Sequence, residues 1–319
     1  MTEDGTMNRI FVVAVIGPTA SGKTALAIEL ARRLDGEIIS ADSMQIYKHM
    51  DIATAKPNAQ ELAAAKHHLI GIVEPCEVFS VSKYKQLAQQ AIADVVSRSK
   101  LPIICGGTGQ YIEALLENLV FGEVPSDEKL RDKLNERARV EGGSALLAEL
   151  EQFDSQAAAR LHENDTKRIV RALEIYLLTG KTITQQTAES RLEPSPYRAC
   201  YIGITAKNRQ YLYDRINLRV DRMVEEGLLE EAKAFFSAGY GSTAAQAIGY
   251  KEMKPYLDGE MTLEQAKDNL KTETRHYAKR QLTWFRRKEN IHWFNSDEMS
   301  FEKLVDAAVS TVNDEKGAE

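Results

Sequence analysis

The sequence predicts an α/β fold, a parallel sheet flanked by helices and interrupted by an all-helical insertion. Three observations carry this. Residues 17–24 read GPTASGKT, a glycine-rich loop between an apolar run and a strong helix former. Short apolar runs alternate with amphipathic stretches through the first third of the chain, the rhythm of βαβ units. From about residue 121 to 196 the strand-like runs stop and helical periodicity takes over.

The elements follow in order. Residues 11–16, FVVAVI, are wholly apolar and rich in β-branched side chains, as a buried strand requires. Gly17, Pro18, Thr19, Ala20, Ser21, Gly22, Lys23 and Thr24 then match G-x-x-x-x-G-K-[ST]. The backbone N–H groups of such a loop cradle phosphate oxygens. Residues 25–34 form a helix, and residues 37–40 a second strand that ends in Ala41-Asp42-Ser43. A polar segment with His67, His68 and Pro75 shows no regular pattern. Residues 80–97 are an amphipathic helix, residues 101–105 a third strand closed by Gly106-Gly107-Thr108-Gly109, and residues 111–119 another helix. The fold class is therefore a P-loop NTPase-like parallel sheet. Ligands in such sheets sit beyond the carboxyl ends of the strands, so the loop, Asp42-Ser43 and the 106–108 turn should converge on one crevice.

Helices are expected over 126–140, 144–153 and 166–178, the last capped by Asn164-Asp165 and ended by Gly180. Strands return at 199–205 and 291–294. The domain plan is a catalytic core of residues 7–120 and 197–312 carrying a helical insertion of 121–196.

The chain of 319 residues has a formal net charge of −6, which argues against wholesale nucleic-acid binding but leaves room for local basic surfaces. The most basic stretch is 275–288, RHYAKRQLTWFRRK, with Tyr277, Trp284 and Phe285 among the cations. Two readings stand: a helix with an aromatic core face and a solvated basic face, or a surface for an RNA backbone. Arg168 and Arg171, three apart on a helix, face one way and would join such a surface. Cys76, Cys105 and Cys200 are scattered, without metal-ligand spacing, as expected of reduced thiols in a cytoplasmic protein. His67 and His68 have no further ligand at metal spacing. Residues 1–6 are polar, Met7 is an alternative start, and no apolar run is long enough to cross a bilayer.

Small-molecule kinases are the default owners of such a loop, but they need a strand-end carboxylate to help hold magnesium. The strand 101–105 ends in Gly-Gly-Thr instead. Asp42, at the end of the other strand, is left as a general base, a magnesium ligand or a structural cap.

These residues together resemble the bacterial tRNA dimethylallyltransferases. The likeness rests on GPTASGKT, ISADSMQIY (39–47), DIATAKP (51–57), GGTGQYI (106–112), RLHENDTKRIVRALE (160–174), INLRVDRMVEEGLLEE (216–231), QAIGYKE (246–252) and KRQLTWFR (279–286), and covers residues 9–294. It implies transfer of a dimethylallyl group from dimethylallyl diphosphate to N6 of adenosine 37 in tRNA, with Mg2+ as cofactor. Lys23 and Arg219 would neutralise the diphosphate, Thr24 would hold magnesium, Asp42 would take the proton from the amino group, and Thr108 would place the base or the diphosphate. The resemblance also implies tRNA contacts at Asp42, Ser43, Met44, Gln45, Thr108, Thr166, Lys167, Arg168, Ile169, Val170, Gln246, Ala247, Ile248, Gly249, Tyr250 and Lys251, with the insertion gripping the anticodon stem. A monomer is expected. Gln110 replaces a usual Leu, a change expected to alter packing behind Thr108, and Gly71 stands where Asp is usual. The alternatives are a metabolite kinase, an RNA-binding module without catalysis, and an adenylate isopentenyltransferase acting on free nucleotide.

Overall fold

The structure, a computed structural model, describes residues 9–120, 127–239 and 243–318. The polar stretch 1–6, the start at Met7 and the domain limit at 121 lie outside the described residues, as does Ser126, the first residue of an expected helix.

The chain divides into two compact units, Met1–Leu116 with Ser195–Glu319, and Glu117–Pro194. The first begins β1 (Ile10–Ile16), α1 (Lys23–Arg33), β2 (Gly36–Ser40), α2 (Ala59–Ala64), β3 (His67–His68), α3 (Val81–Ser97), β4 (Leu101–Gly106) and α4 (Gly109–Leu116). The second holds α5 (Glu128–Glu141), α6 (Gly143–Glu151), α7 (Ser155–Ala158), α8 (Thr166–Thr179) and α9 (Ile183–Glu189), with no strand among the described residues. The first unit then resumes with β5 (Tyr197–Thr205), α10 (Arg209–Glu225), α11 (Leu228–Ser237), a 3-10 turn at Ala244–Gln246, α12 (Tyr250–Leu257), α13 (Leu263–Phe285), β6 (Ile291–Asn295) and α14 (Phe301–Gly317).

The six strands form one parallel sheet in the order β3-β2-β4-β1-β5-β6. β1 is central, and its alternation shows why it reads as unbroken apolar sequence. Val12, Ala14 and Ile16 enter one core and Val13 and Val15 the other, all five with no exposed surface. Both faces are covered, so a period of two is invisible in hydropathy. α1 and α14 pack on the side of Val13 and Val15, where Leu26, Leu30, Leu304 and Val305 join them. No described helix is long and apolar enough to cross a membrane.

The segment expected to be irregular holds two elements. Asn58 and Glu61 form a capping box for α2, and His67 and His68 pair with Ile38 and Ile39 as an edge strand. Two residues are too few for periodicity to register. His68 Nε2 lies 2.7 Å from buried Glu37, and His67 Nδ1 lies 2.8 Å from the Ala65 carbonyl.

In the helical unit Ile169, Val170 and Leu173 pack with Leu134, Leu146 and Leu150. The expected cap of α8 is altered: Asp165 stands at the N-cap, but its side chain accepts from the His162 N–H at 3.0 Å rather than from the helix. Gly180, at φ +69, closes α8 as expected. Buried Glu174 accepts from Arg131 (3.0 Å), Arg171 (2.7 Å) and the Asp127 N–H (3.1 Å). Arg171 is thus tied on one side to the buried Glu174, while its side chain stays 36% exposed and lines a surface groove with Lys167 and Arg168.

Candidate active site

The phosphate loop joins β1 to α1 through two strained glycines. Gly17 (φ +142) passes so close to β5 that a Cβ there would stand 2.2 Å from the Ile204 carbonyl oxygen, and Gly22 (φ +104) is the left-handed N-cap of α1. Lys23 curls back and donates to the Pro18 carbonyl at 2.6 Å. Desolvation in the crevice lowers its ammonium to about 8; neighbouring Arg219 adds to this, while Cys105 and Asp42 act in the opposite direction. The Ser21 hydroxyl is buried in the loop without a partner.

The ends of β2 and β4 meet beside the loop. Gly106 permits the approach, since a Cβ would lie 2.2 Å from the Ala41 carbonyl oxygen. The Thr108 N–H donates to that carbonyl at 3.2 Å, and the Ser43 N–H donates to Thr108 Oγ1 at 3.0 Å. Asp42 Oδ1 accepts from the N–H groups of Met44 (2.9 Å) and Gln45 (3.3 Å), a turn that fixes the carboxylate at the strand end. Gln45 accepts from Ser40 Oγ and donates to the carbonyls of Thr54 and Ala55 at 3.3 and 3.0 Å. The far side of that loop is held by Glu231, which accepts from the N–H groups of Asp51, Ile52 and Ala53 and from the Tyr250 hydroxyl, all within 2.9 Å.

Two distant helices complete the site. On α10, Arg219 Nη1 reaches Thr19 Oγ1 at 3.4 Å, and Arg215, one turn earlier, donates to the Ala20 carbonyl at 2.7 Å. Burial pushes the Arg219 guanidinium below its ordinary value. On α13, Tyr277 lines the cavity, with its hydroxyl pushed up by burial, and Gln281 reaches both the phosphate loop and Gly107. Trp284 lies over Gly109, where a Cβ would stand 2.2 Å from its ring. The basic stretch is thus split. Phe285 is buried, Tyr277 and Gln281 face the cavity, Arg275 bonds to Asn217, and Lys279, Arg286 and Arg287 are exposed.

These parts enclose a cavity of about 270 Å³. Thr19, Lys23, Thr24, Asp42 and Arg219 line it with polar groups, and Val220, Met223 and Leu270 with apolar ones. Ser43, Met44, Gln45, Gln246, Ala247, Ile248 and Lys251 line it as well, with the Thr108 hydroxyl directly behind Ser43. Gly17, Pro18, Ala20, Ser21 and Gly22 supply the loop backbone. Three of the residues expected to meet RNA are differently placed. Tyr250 is fully buried against Glu231, and Ile169 and Val170 are buried in the core of the helical unit, so their side chains are not available to an outside partner. Gly249 (φ +119) is the N-cap of α12. Thr166 opens α8, and Lys167 and Arg168 are exposed on its first turn. Gln110 points to solvent, so it does not alter packing behind Thr108.

Sequence reasoning named Tyr277 only among the aromatics of the basic stretch and did not single out Arg215, Arg280 or Gln281; all four touch the loop or the cavity. The i,i+4 spacing of Arg215 with Arg219 and of Tyr277 with Gln281 was the available signal. Chemically, the arrangement places N–H groups and two cations at one end of the cavity, a carboxylate at its wall, and apolar side chains opposite. It can hold an oxyanionic leaving group and remove a proton beside it.

The IPP transferase family model matches residues 45–288. The chain is 50% identical over 297 residues to a tRNA dimethylallyltransferase of Acetivibrio thermocellus, covering 92% of this chain and 95% of that protein. It is 48% identical to one from Halalkalibacterium halodurans, covering 92% and 94%. Among solved structures, the tRNA isopentenylpyrophosphate transferase of Bacillus halodurans superposes with a TM-score of 0.72 at 44% identity, over 97% of this chain and 98% of that one. A eukaryotic dimethylallyltransferase acting on tRNA superposes with a TM-score of 0.79 at 30% identity, over 96% and 79%.

Proposed function

We infer the reaction from one premise: the chain belongs to the IPP transferase family, and it transfers a dimethylallyl group to tRNA. The donor we propose is dimethylallyl diphosphate and the acceptor N6 of adenosine 37, beside the anticodon. The observation that carries this reading is a carboxylate, Asp42, lining the same cavity as a phosphate loop and two cations, Lys23 and Arg219.

The loop N–H groups and the two cations hold the diphosphate. The amino nitrogen attacks C1 of the allyl chain, the C1–O bond breaks, and its electron pair leaves with the diphosphate. Asp42 takes the proton from the nitrogen. Charge on the departing oxygens is the largest demand, and preorganised donors lining the cavity meet it. Thr108 holds the backbone of Ser43, next to Asp42, and so fixes the base rather than touching the donor directly. Val220, Met223 and Leu270 offer the apolar side chains that a five-carbon chain needs.

The Thr24 hydroxyl and the Asp42 carboxylate line the cavity, and such hard oxygen donors fit a magnesium ion that takes its remaining ligands from diphosphate and water. Thr24 would hold it, and when bound the ion neutralises charge on the leaving group. The acceptor base must leave its stack to enter the cavity, at a cost of about a few kcal/mol. Lys251 and Arg280, which line the cavity, offset that cost by holding RNA phosphates, and the exposed Lys167 and Arg168 give the helical unit cations of its own for an RNA backbone. We propose that the protein acts as a cytoplasmic monomer.

The test is to incubate the protein with magnesium, dimethylallyl diphosphate, AMP and unmodified tRNA, then weigh the nuclease fragments of the RNA and the free nucleotide. Isopentenyladenosine at position 37 is expected. Modification of free adenine nucleotide with tRNA left untouched would replace the acceptor assigned here.

A further inference from the structure

Gln281 is the one buried amide that spans both halves of the site. Its side chain is 5% exposed, on a helix more than 260 residues along the chain from the phosphate loop. Oε1 accepts from the Thr19 N–H at 2.8 Å, and Nε2 donates to the Gly107 carbonyl at 3.0 Å. The fit leaves no slack: a Cβ on Gly107 would stand 2.0 Å from Nε2. Tyr277, one turn earlier on α13, lines the same cavity as Gln281.

A phosphate loop binds through its free N–H groups, and each one satisfied by protein is lost to the ligand. The helix-proximal amides, from Ala20 to Thr24, wrap the start of α1, where the dipole favours an anion. Thr19 lies at the far end of the loop. Its N–H is the next donor a longer polyphosphate would recruit, and Gln281 already holds it. The Thr19 hydroxyl, on the same residue, is 3.4 Å from Arg219. The far end of the loop is therefore occupied by the protein's own groups.

We propose that Gln281 limits the phosphate loop to a two-phosphate ligand, making it a specificity-determining residue that selects a diphosphate donor over nucleoside triphosphates. This rests on the reading that the loop holds a diphosphate. It explains how a loop pattern shared with triphosphate enzymes is restricted without any change in the eight loop residues. The restricting group comes from α13, outside the motif.

The experiment measures binding of inorganic pyrophosphate and of inorganic tripolyphosphate by calorimetry at fixed magnesium, in the absence of tRNA. The wild-type protein should favour pyrophosphate at least tenfold. Gln281→Ala frees the Thr19 N–H, and the preference should fall to about twofold or reverse. Gln281→Glu keeps an acceptor for Thr19 but replaces the donor to Gly107 by an acceptor and adds a negative charge, so it should weaken both ligands and retain the preference. A role in packing alone would shift both affinities together in both variants. A preference unchanged in Gln281→Ala, or lost equally in Gln281→Glu, overturns the proposal. If the wild-type protein binds no pyrophosphate, the diphosphate reading itself fails, and this inference with it. If Gln281→Ala does not fold, Gln281→Met takes its place with the same expected loss of preference.

Discussion

Arg219 reaches Thr19 across 200 residues of sequence, its Nη1 standing 3.4 Å from Oγ1. The contact brings a second cation to the phosphate loop from a helix that the loop motif does not include. Arg219→Ala should weaken pyrophosphate binding by about 1.5–3 kcal/mol, the range for hydrogen bonds to charged groups, roughly ten- to a hundredfold in affinity. Arg219→Lys should recover part of this, because an ammonium keeps the charge but not the fork geometry. Titration with pyrophosphate checks both, and equal losses in the two variants would point to geometry rather than charge.

Asp42→Asn separates the carboxylate's two duties. The amide oxygen can still accept from the Met44 and Gln45 N–H groups, so the turn at the end of β2 should survive. Proton removal should not. A single-turnover assay on the preformed tRNA complex is expected to slow by about 10²–10⁴-fold, the usual worth of a general base. Pyrophosphate affinity should stay the same or rise, since a negative charge has gone. A rate near that of the wild type would place the base elsewhere.

Lys23 gives the site a pH limit. Its ammonium titrates at about 8 because the crevice desolvates it. The charged form binds the diphosphate, so affinity is full below that value and declines as pH rises through it. One unit above, about a tenth of the ammonium remains, and pyrophosphate should bind roughly tenfold more weakly than at neutral pH. Binding above pH 8 should also take up a proton, seen as a heat that varies with the buffer. A flat profile to pH 9 would remove Lys23 from the binding energy.

The loop, five of the six strands and the three strand ends were legible because each rests on local sequence. Glycines at 17 and 22 have local causes, and a fully apolar β1 needs no partner to be recognised. What α13 contributes was not legible. Gln281 and Trp284 lie on one face of that helix, but their meaning depends on Thr19 and Gly109, more than 150 residues away. The same stretch read equally well as a basic surface. Arg171 is partly legible for a related reason: its spacing from Arg168 is visible in the sequence, but its buried partner Glu174 is not.

Glu37 should govern acid stability at the sheet edge. Burial raises its carboxyl, but hydrogen bonds from Arg98, His68 and Lys66 outweigh that and hold it at about 2. A depressed value means the stabilisation is complete above the unfolded value near 4.5 and is lost as pH falls toward 2. The side chain is 6% exposed, and the shift corresponds to about 3 kcal/mol. Glu37→Gln should lose most of that at neutral pH, and its denaturant midpoint should vary less than the wild type's between pH 5 and about 2. Equal acid sensitivity in the two proteins would assign the loss to other carboxylates.

Arg168 and Arg171 are three residues apart on α8, and the structure predicts opposite consequences for them. Arg168 is exposed on the first turn beside Lys167, above the buried pair Ile169 and Val170. A cation so placed can meet an RNA phosphate and contributes to binding through released counterions. Arg168→Ala should therefore weaken tRNA binding across different tRNA sequences and reduce the slope of log affinity against log salt by about one, leaving pyrophosphate affinity and thermal stability unchanged. Arg171 is bonded to Glu174, which has no exposed surface. Arg171→Ala leaves that carboxylate with one charged partner fewer and should cost about 1–3 kcal/mol of stability. Its salt slope should match the wild type's. Filter binding across a salt series, run beside thermal unfolding, distinguishes the two. A reduced slope in Arg171→Ala with unchanged melting would return that residue to the RNA surface, and an unchanged slope in Arg168→Ala would remove α8 from it.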